Sequence, residues 1–327
     1  MRKIAILASG GDAPGMNAAI RAATRTAIER GAEAWGVWDG YNGLVEQRIE
    51  RLTSRGVAGI LQRGGSIIGA GRCEAFFDDA RRRECVDYLR SVDIEGAVVI
   101  GGEGSLAGAM ELHRLGFPCV VVPGTIDNDM PGTEITIGAD TAINTAVEAI
   151  DRLRDTASSH RRAIVVEVMG RRSGYIAVMA GIATGAEMII TPEHPVEIAE
   201  VIREVAAMAK RGKRHFIVVL AEGAEWSAEE LSRHINTARG TLVDGETYLA
   251  RPSVLGYIQR GGTPSRFDRI LATRMGIAAA EALLEGASGV LVVWRHNNVQ
   301  IADAAHLDPP ADPWGETLGH VHRITST

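Results

Sequence analysis

The chain has 327 residues, of which 46% are hydrophobic and 23% charged, as in a folded globular protein large enough for two lobes. Its formal net charge of −6 argues against a general nucleic-acid-binding protein. Three scattered cysteines are too few for a disulfide framework or a cysteine-based zinc site, and every apolar run is too short to span a membrane. We therefore expect a cytoplasmic protein with reduced thiols that binds neither nucleic acid nor membrane.

Short apolar runs alternate with amphipathic segments along the chain, which is typical of parallel sheets covered by helices on both faces. The predicted strands cover, in chain order, residues 4–8, 34–38, 97–100, 120–123, 163–168, 187–191, 216–222 and 289–294. The predicted helices lie near residues 16–30, 141–154 and 196–211. This order predicts an α/β protein of two doubly wound lobes with largely parallel sheets.

Two glycine-rich loops follow predicted strands. The first has the sequence SGGDAPG, with Gly11 in its turn, and the second has the sequence GGEGS at 101–105. Glycines let main-chain N–H groups approach an anion, and a helix N-terminus favours negative charge. The first loop alone is as easily a plain tight turn, but two such loops on one sheet favour a phosphate ligand. The chain has neither a Walker A sequence nor G-x-G-x-x-G.

The third loop, GTIDND at 124–129, places Asp127 and Asp129 two residues apart. Phosphoryl transfer needs a group that accepts the proton of the attacking hydroxyl and a metal or cation that offsets phosphoryl charge. The two carboxylates are suited to divide that work. Taken alone, however, an acidic turn after a strand is the simpler interpretation.

Several polar side chains of the second half stand beside glycines or strand ends. Arginine grips phosphate oxygens in a bidentate fork, so a group of arginines favours a phosphorylated substrate, although any one of them is more commonly a solvated surface residue. Glu222 closes a strand and is suited to accept hydrogen bonds from sugar hydroxyls. The arginines of this group are Arg162, Arg171, Arg251 and Arg260.

Taken together, the motifs resemble those of the ATP-dependent 6-phosphofructokinase family, in order and approximate spacing, from residue 4 to about 293. They are SGGDAPGMNAAIR, GGEGS, PGTIDND, EAIDRLRDTASSH, VVEVMGRRSGY and LGYIQRGG. The resemblance implies a phosphofructokinase-like fold and transfer of the γ-phosphoryl of ATP, with Mg²⁺, to the 1-hydroxyl of fructose 6-phosphate. It implies an ATP-binding lobe over 1–138 and about 259–300, and a sugar-phosphate and effector lobe over 139–258 and about 301–327.

The resemblance also implies roles for individual residues. Asp127 stands at the catalytic base position, with Thr125 and Arg171 beside it in the chemistry, and Glu103 stands at the Mg²⁺ position. Asp129 is the second candidate metal ligand, because of its place beside Asp127 in the third loop. Arg162 and Arg251 match arginines that reach the substrate from a neighbouring subunit, which implies a homo-oligomer, usually a tetramer. The residues matched to ATP contacts are Gly11, Arg72, Cys73, Gly102, Glu103, Gly104 and Ser105. Those matched to sugar-phosphate contacts are Thr125, Asp127, Arg162, Met169, Gly170, Arg171, Glu222, Arg251, Tyr257 and Arg260.

The phosphoryl donor is inferred from two glycines. Pyrophosphate-using relatives carry an aspartate at the position of Gly104 and a lysine at that of Gly124, so both positions indicate ATP. Three features depart from the family pattern: Glu103 replaces an aspartate, Tyr257 replaces a histidine, and the loop predicted over 226–249 is longer than in compact bacterial members. A pyrophosphate-dependent enzyme and a catalytically silent, sugar-phosphate-binding regulatory subunit remain the alternatives.

A basic cluster matches the family's effector site, which suits ADP or phosphoenolpyruvate. Ser54 and Ala58 depart from that pattern, with Arg55 displaced by one residue, so the strength or direction of regulation is expected to differ. The matching residues are Arg21, Arg25, Arg154, Gly185, Glu187, Arg211, Lys213 and Arg214.

Overall fold

The computed structural model describes residues 1–239, 247–310 and 312–325. The strands are β1 Lys3–Ser9, β2 Glu33–Val37, β3 Ile49–Leu52, β4 Gly96–Gly101, β5 Cys119–Thr125, β6 Ile137–Gly138, β7 Arg162–Val168, β8 Met188–Ile190, β9 Phe216–Ala221, β10 Leu249–Val254, β11 Val290–Arg295 and β12 Asn298–Asp303. The helices are α1 Met16–Glu29, α2 Tyr41–Val45, α3 Asp79–Ser91, α4 Glu103–Arg114, α5 Ala139–His160, α6 Tyr175–Thr184, α7 Ile198–Lys210, α8 Ala228–Arg239, α9 Arg266–Leu284 and α10 Gly315–Thr325. Every strand and helix predicted above is present, with shifted ends.

The chain divides into two compact units, each built from separate segments. The first comprises Met1–Thr141 and Arg260–Pro310, and the second comprises Ala142–Gln259 and Ala311–Thr327. The predicted return to the second lobe near residue 301 is wrong, because β12 pairs with β11 in the sheet of the first unit.

The first unit is built on one mixed sheet in the order β12-β11-β5-β4-β1-β2-β3, with β6 paired to β5. Its strands are parallel except at the two edges, where β3 and β12 run antiparallel to their neighbours. Alternate residues of a strand point to opposite faces, and both faces are covered. On one face, Leu7 and Val99 join a buried cluster with Leu89 of α3 and Leu112 of α4.

Helices α1 and α9 pack closely against each other in the same unit. A Cβ at Gly276 would lie 2.6 Å from the carbonyl oxygen of Ala19 and 3.0 Å from the Cβ of Ala22. The position therefore requires glycine for the two helices to approach this closely.

The order of the strands reverses between β1 and β4. From β1 the chain proceeds through α1 to β2 on one side, whereas from β4 it proceeds through α4 to β5 on the other. Open α/β sheets bind ligands outside the carboxyl ends of the strands at such a switch point. The glycine-rich loops of the sequence lie at this end of the sheet.

The second unit has a parallel four-stranded sheet in the order β10-β7-β9-β8. Val165 and Val218 are buried on one of its faces with Val205 of α7 and Leu231 of α8. The prediction of a loop over 226–249 is wrong for the part that forms α8; residues 240–246 of that stretch lie outside the described residues.

Asp268 ties together the start of α9, β6 and the start of α5. Its fully buried carboxylate accepts hydrogen bonds from the Gly138 N–H (2.9 Å), the Thr141 N–H (2.8 Å) and the Thr141 hydroxyl (2.5 Å). Burial raises the pKa of Asp268 from 3.8 to about 6, and these hydrogen bonds offset part of the rise.

This pKa makes stability depend on pH. Because the folded pKa lies above the unfolded one, the stabilisation by protonated Asp268 is full below about pH 4 and is lost as pH rises through about 6. We expect the free energy of unfolding in urea to fall by about 1.4 kcal/mol more between pH 5 and pH 7.5 in the wild type than in Asp268→Asn. The same pH dependence in both proteins would contradict a raised pKa for Asp268.

Two further sequence expectations concern the cysteines and membrane insertion. Cys73, Cys85 and Cys119 are all buried free thiols, and burial raises the pKa of Cys85 to about 11. No helix in the part of the chain that the structure describes is both long and apolar enough to cross a bilayer.

Candidate active site

The first two glycine loops meet at Ser105. A Cβ at Gly10 would lie 3.4 Å from the Ser105 Oγ, and a Cβ at Gly101 would lie 2.3 Å from it and 2.5 Å from the Ser9 carbonyl oxygen. Glycine is therefore required at 101 for the ends of β1 and β4 to approach. The helices α1 and α4 that follow these loops begin without a hydrogen bond from a capping side chain. The N-terminus of a helix favours negative charge, so the first turns of both helices are suited to an anion.

The predicted nucleotide segment Arg72-Cys73 lies beside the first loop. The Gly71 carbonyl accepts hydrogen bonds from the Gly10 N–H (3.1 Å) and the Ser9 hydroxyl (3.3 Å). Asn42 donates to the Arg72 carbonyl (2.9 Å). Arg72 is exposed and Cys73 is buried, so the arginine is the member of this pair that can reach a ligand.

Tyr41 bonds the second loop, a contact that the sequence did not predict. Its hydroxyl donates to the Ser105 carbonyl at 2.8 Å, and its ring stacks on Phe76 with centroids 4.1 Å apart. Burial raises the pKa of Tyr41 well above its usual value. A tyrosine after a turn carries no pattern that would reveal this contact.

The third loop completes this group. A Cβ at Gly102 would lie 3.5 Å from the Thr125 Cβ, so the loops after β4 and β5 are in contact. The Thr125 hydroxyl accepts a hydrogen bond from the Asp127 N–H at 3.3 Å. Asp127 is half-buried, and its Oδ1 is shielded from solvent. A carboxylate so placed at the carboxyl end of β5 is suited to proton transfer.

The acidic residues at this end of the sheet fit a Mg²⁺ ion that is also bound by substrate phosphates. Glu103 is exposed in the first turn of α4, and Asp129 is half-buried in the third loop. Within the described ranges, no three His, Cys, Asp or Glu side chains form a ready-made metal cage. Mg²⁺ usually binds through one or two carboxylates plus substrate phosphates, so the residues present fit the ion.

Gly104 and Gly124 differ in their surroundings. A Cβ at Gly104 would meet no atom within 4 Å, whereas one at Gly124 would lie 3.2 Å from both Ile100 and Met16. Packing within the protein thus favours glycine at 124 but not at 104. Gly104 is the more informative of the two about the ligand.

Arg260, predicted to contact the sugar phosphate, belongs to the first unit and lies over the first glycine loop. A Cβ at Gly11 would be 3.4 Å from the carbon of its guanidinium group. This arrangement adds a cation to the phosphate-type loop.

In the second unit, the predicted substrate residues gather at the carboxyl ends of β7 and β9. The Glu222 N–H donates to the Val168 carbonyl (2.8 Å), and the Gly223 N–H donates to the Gly170 carbonyl (3.2 Å). A Cβ at Gly223 would lie 2.0 Å from the Arg171 carbonyl oxygen, so the two segments are in close contact. The Met169 N–H donates to the buried Gln259 side chain (3.3 Å). Arg171 and Glu222 are exposed at this end of the sheet.

Tyr257 lies in the short 3-10 turn Gly256–Gln259 and is 78% exposed. The side chain of Gln259 also donates to the Gly256 carbonyl at 3.0 Å. The same glutamine thus connects the Tyr257 turn with the end of β7.

Arg162 and Arg251 are not brought to that group. Arg162 is the first residue of β7, six residues before its end, and a strand rises about 3.3 Å per residue. Arg251 is exposed on β10 in register with Ile164. Both arginines therefore lie toward the other end of this sheet from Met169 and Glu222.

The predicted effector residues of the second unit lie around Glu187, whose side chain is 1% exposed. Lys213 pairs with it at 2.9 Å, and the Ile217 N–H donates to it at 2.5 Å. Arg154 donates a hydrogen bond to the Thr184 carbonyl beside Gly185, and Arg211 is the C-cap residue of α7. The remaining predicted effector residues, Arg21 and Arg25, belong to the first unit. There Arg25 donates to the carbonyl of Ser54, the residue that differs from the family pattern, at 3.4 Å.

His215 belongs to the same cluster and was missed by the sequence analysis. Its Nε2 lies 3.7 Å from a Glu187 oxygen, and its Nδ1 is 2.8 Å from the Ser158 hydroxyl. Burial lowers the pKa of His215, against the opposing effect of Glu187. The sequence does not predict this contact, because His215 and Glu187 are brought together only by the pairing of β8 with β9.

Comparisons with known proteins extend over nearly the whole chain. The family model "Phosphofructokinase" matches residues 3–283. The chain is 48% identical over 313 residues to an ATP-dependent 6-phosphofructokinase of Bacillus pumilus, covering 94% of this chain and 95% of that protein. It is 50% identical over 299 residues to an ATP-dependent 6-phosphofructokinase of Lysinibacillus sphaericus, covering 91% of each.

Among solved structures, the phosphofructokinase from Saccharomyces cerevisiae matches with a TM-score of 0.84 and 33% identity. The match covers 99% of this chain and 46% of the longer yeast chain. The resemblance drawn from the six sequence motifs is confirmed: the chain belongs to the phosphofructokinase family.

Proposed function

We propose that the protein is a glycolytic, ATP-dependent 6-phosphofructokinase that converts D-fructose 6-phosphate to fructose 1,6-bisphosphate. The observation that carries the proposal is the meeting of three glycine-containing loops at the switch point of the first sheet, with Ser105 of the second loop against Gly10 of the first and Thr125 against Gly102. The names of the bacterial relatives support the donor and the acceptor.

The first unit supplies the donor site and the base. Main-chain N–H groups around Gly11 and Gly102–Ser105, together with Arg72, bind the phosphates of ATP. Asp127 accepts the proton of the 1-hydroxyl as its oxygen forms a bond to the γ-phosphorus. The bond from that phosphorus to the β,γ-bridging oxygen breaks, and ADP leaves. Thr125 holds the main chain of Asp127 through the hydrogen bond between its hydroxyl and the Asp127 N–H.

The second unit supplies residues for the acceptor. Arg171 offsets charge on the transferred phosphoryl group, and Glu222 accepts hydrogen bonds from sugar hydroxyls. Met169 and Gly170 contact the sugar, and Tyr257 and Arg260 are proposed as contacts of the 6-phosphate. Their common place at the ends of β7 and β9, apart from Arg260, supports these roles.

Glu103 and Asp129 would hold Mg²⁺ together with the phosphates of ATP. The ion would supply positive charge to the β- and γ-phosphoryl oxygens. The longer side chain of Glu103, relative to an aspartate, favours contact with the ion through water.

We further propose a cytoplasmic homotetramer that responds to ADP or phosphoenolpyruvate. Arg162 and Arg251 lie toward the other end of the sheet from Met169, which supports their reaching the substrate of a neighbouring subunit. The cationic surroundings of Glu187 support an anionic effector.

A coupled assay with fructose 6-phosphate tests the proposed donor. We expect turnover with ATP and Mg²⁺ and little with pyrophosphate and Mg²⁺. Preferential turnover with pyrophosphate would make the protein the pyrophosphate-dependent type. Binding of fructose 6-phosphate with no turnover from either donor would favour the silent regulatory subunit.

A further inference from the structure

The third loop turns sharply at the residue after Asp127. Asn128 has φ 49°, in the left-handed region that side chains with a Cβ resist and that asparagine tolerates better than most. The conformation of the loop at Asp127 therefore depends on a turn at Asn128 that contacts outside the loop must stabilise.

The Asn128 side chain provides that support by bonding a segment that returns past the loop. Its Oδ1 accepts from the Thr136 N–H at 2.8 Å, and its Nδ2 donates to the Glu134 carbonyl at 3.1 Å. The carboxamide thus bonds two alternate residues of the returning chain, as the backbone of a neighbouring strand does. Two bonds of opposite polarity also fix which way the amide faces.

Thr136 bonds the chain on the N-terminal side of Asp127. It is fully buried, and its hydroxyl donates to the Thr125 carbonyl at 2.6 Å. Immediately after it, β6 pairs with β5, with Ile137 opposite Gly124 and Gly138 opposite Thr125. The residues on both sides of Asp127 are thereby bonded to residues 134–138.

Residues 134–138 are themselves anchored to the rest of the first unit. The Glu134 N–H donates to the Trp294 carbonyl at 2.9 Å, and the Trp294 N–H donates to the Thr133 hydroxyl at 2.9 Å. At the far end, Gly138 donates to buried Asp268. The segment is therefore a fixed support.

We propose that Asn128, with Thr136, is a positioning residue that sets the direction of the Asp127 carboxylate for proton transfer. This inference rests on the proposed function, in which Asp127 is the base. A general base acts only within hydrogen-bond reach of its proton, and a misplacement of about 1 Å can cost about 10²-fold in rate. Neither residue needs to touch a substrate for this role.

Asn128→Gly is the sharpest test, because glycine keeps the left-handed turn and removes both side-chain bonds. We expect kcat to fall about tenfold to 100-fold, while KM for ATP and for fructose 6-phosphate changes by less than about threefold. Asn297→Gly is the matched control, since Asn297 also has a positive φ of 61° in the same unit but is exposed in the turn between β11 and β12. Its kcat is expected to equal that of the wild type.

Thr136 gives a second, independent pair of variants. Thr136→Ser keeps the hydroxyl that bonds Thr125, and Thr136→Val replaces it with a methyl group of similar size. We expect near wild-type kcat in the serine variant and a reduced kcat, with little change in KM, in the valine variant. Unchanged kcat in both Asn128→Gly and Thr136→Val would overturn the proposal, as would losses confined to KM.

Amide hydrogen exchange separates this inference from the proposed function, because it needs no substrate. In Asn128→Gly the amides of Asp127 and Thr136 are expected to exchange faster than in the wild type, with the core strands unchanged. Wild-type exchange at both amides would overturn the positioning role even if the enzyme is active. A wild-type protein without kinase activity would instead overturn the proposed function, leaving exchange to decide the role of Asn128 in the loop.

Discussion

Asp127→Asn is expected to lower kcat for phosphorylation of fructose 6-phosphate by about 10²–10⁴-fold, the usual loss when a general base is removed. An amide of nearly the same size cannot take the hydroxyl proton. The main-chain bond from residue 127 to the Thr125 hydroxyl does not involve the altered group, so the loop is expected to keep its conformation. The measurement is a coupled assay at saturating ATP, Mg²⁺ and sugar phosphate, with thermal unfolding of the same samples.

Asp308→Asn makes the same chemical change at an exposed carboxylate of the first unit that pairs with Arg295 at 3.2 Å. It is expected to leave kcat unchanged. Retention of more than about a tenth of kcat in Asp127→Asn would remove Asp127 from the role of base. An active wild type combined with a nearly inactive, folded Asp127→Asn excludes the silent regulatory subunit.

Gly104→Asp has the second largest expected effect, on kcat/KM for ATP. The protein offers open space at that position, so the new side chain meets no protein atom, but it places a carboxylate among groups that bind phosphate. Like charges brought together cost several kcal/mol, and about 1.4 kcal/mol corresponds to tenfold. We expect kcat/KM for ATP to fall by about 10²-fold or more.

Gly104→Ala is the graded control. It adds a methyl group without charge, so a smaller loss is expected. Alanine stabilises a helix relative to glycine by about 0.5–1 kcal/mol, so the melting temperature should not fall. Equal use of ATP by the aspartate variant and the wild type would show that residue 104 does not act on the donor. A loss of ATP use accompanied by unfolding would show that glycine is required by the fold instead.

The sequence predicts the buried parallel strands well because each is a short apolar run bounded by turn residues. It does not reveal β3 and β12, whose sequences IERL and NVQIAD are polar because they lie at the edges of the sheet. It also hides α8, since the distance between two matched motifs does not distinguish a long loop from a loop that contains a helix.

For the candidate site, the sequence identifies the loops but not their contacts. Glycine spacing predicts that phosphate binds near Gly11 and Gly102. It does not show that Ser105 of the second loop contacts Gly10 of the first or that Tyr41 bonds the Ser105 carbonyl, because these contacts depend on the β5-β4-β1 strand order. The role of Asn128 depends similarly on a chain that returns to the same loop.

The division of the first unit into separate segments has a consequence for the order of its assembly. β11 borders β5, and α9 packs on α1, yet both elements follow the main segment of the second unit in the chain. During synthesis from the N-terminus, β6 can pair with the last two residues of β5, but the part of β5 at Val120 and Val121 stays unpaired on that side until β11 has been made. The loop that carries Asp127 extends from this strand, so the surroundings of the proposed base are completed only after β11 has been made.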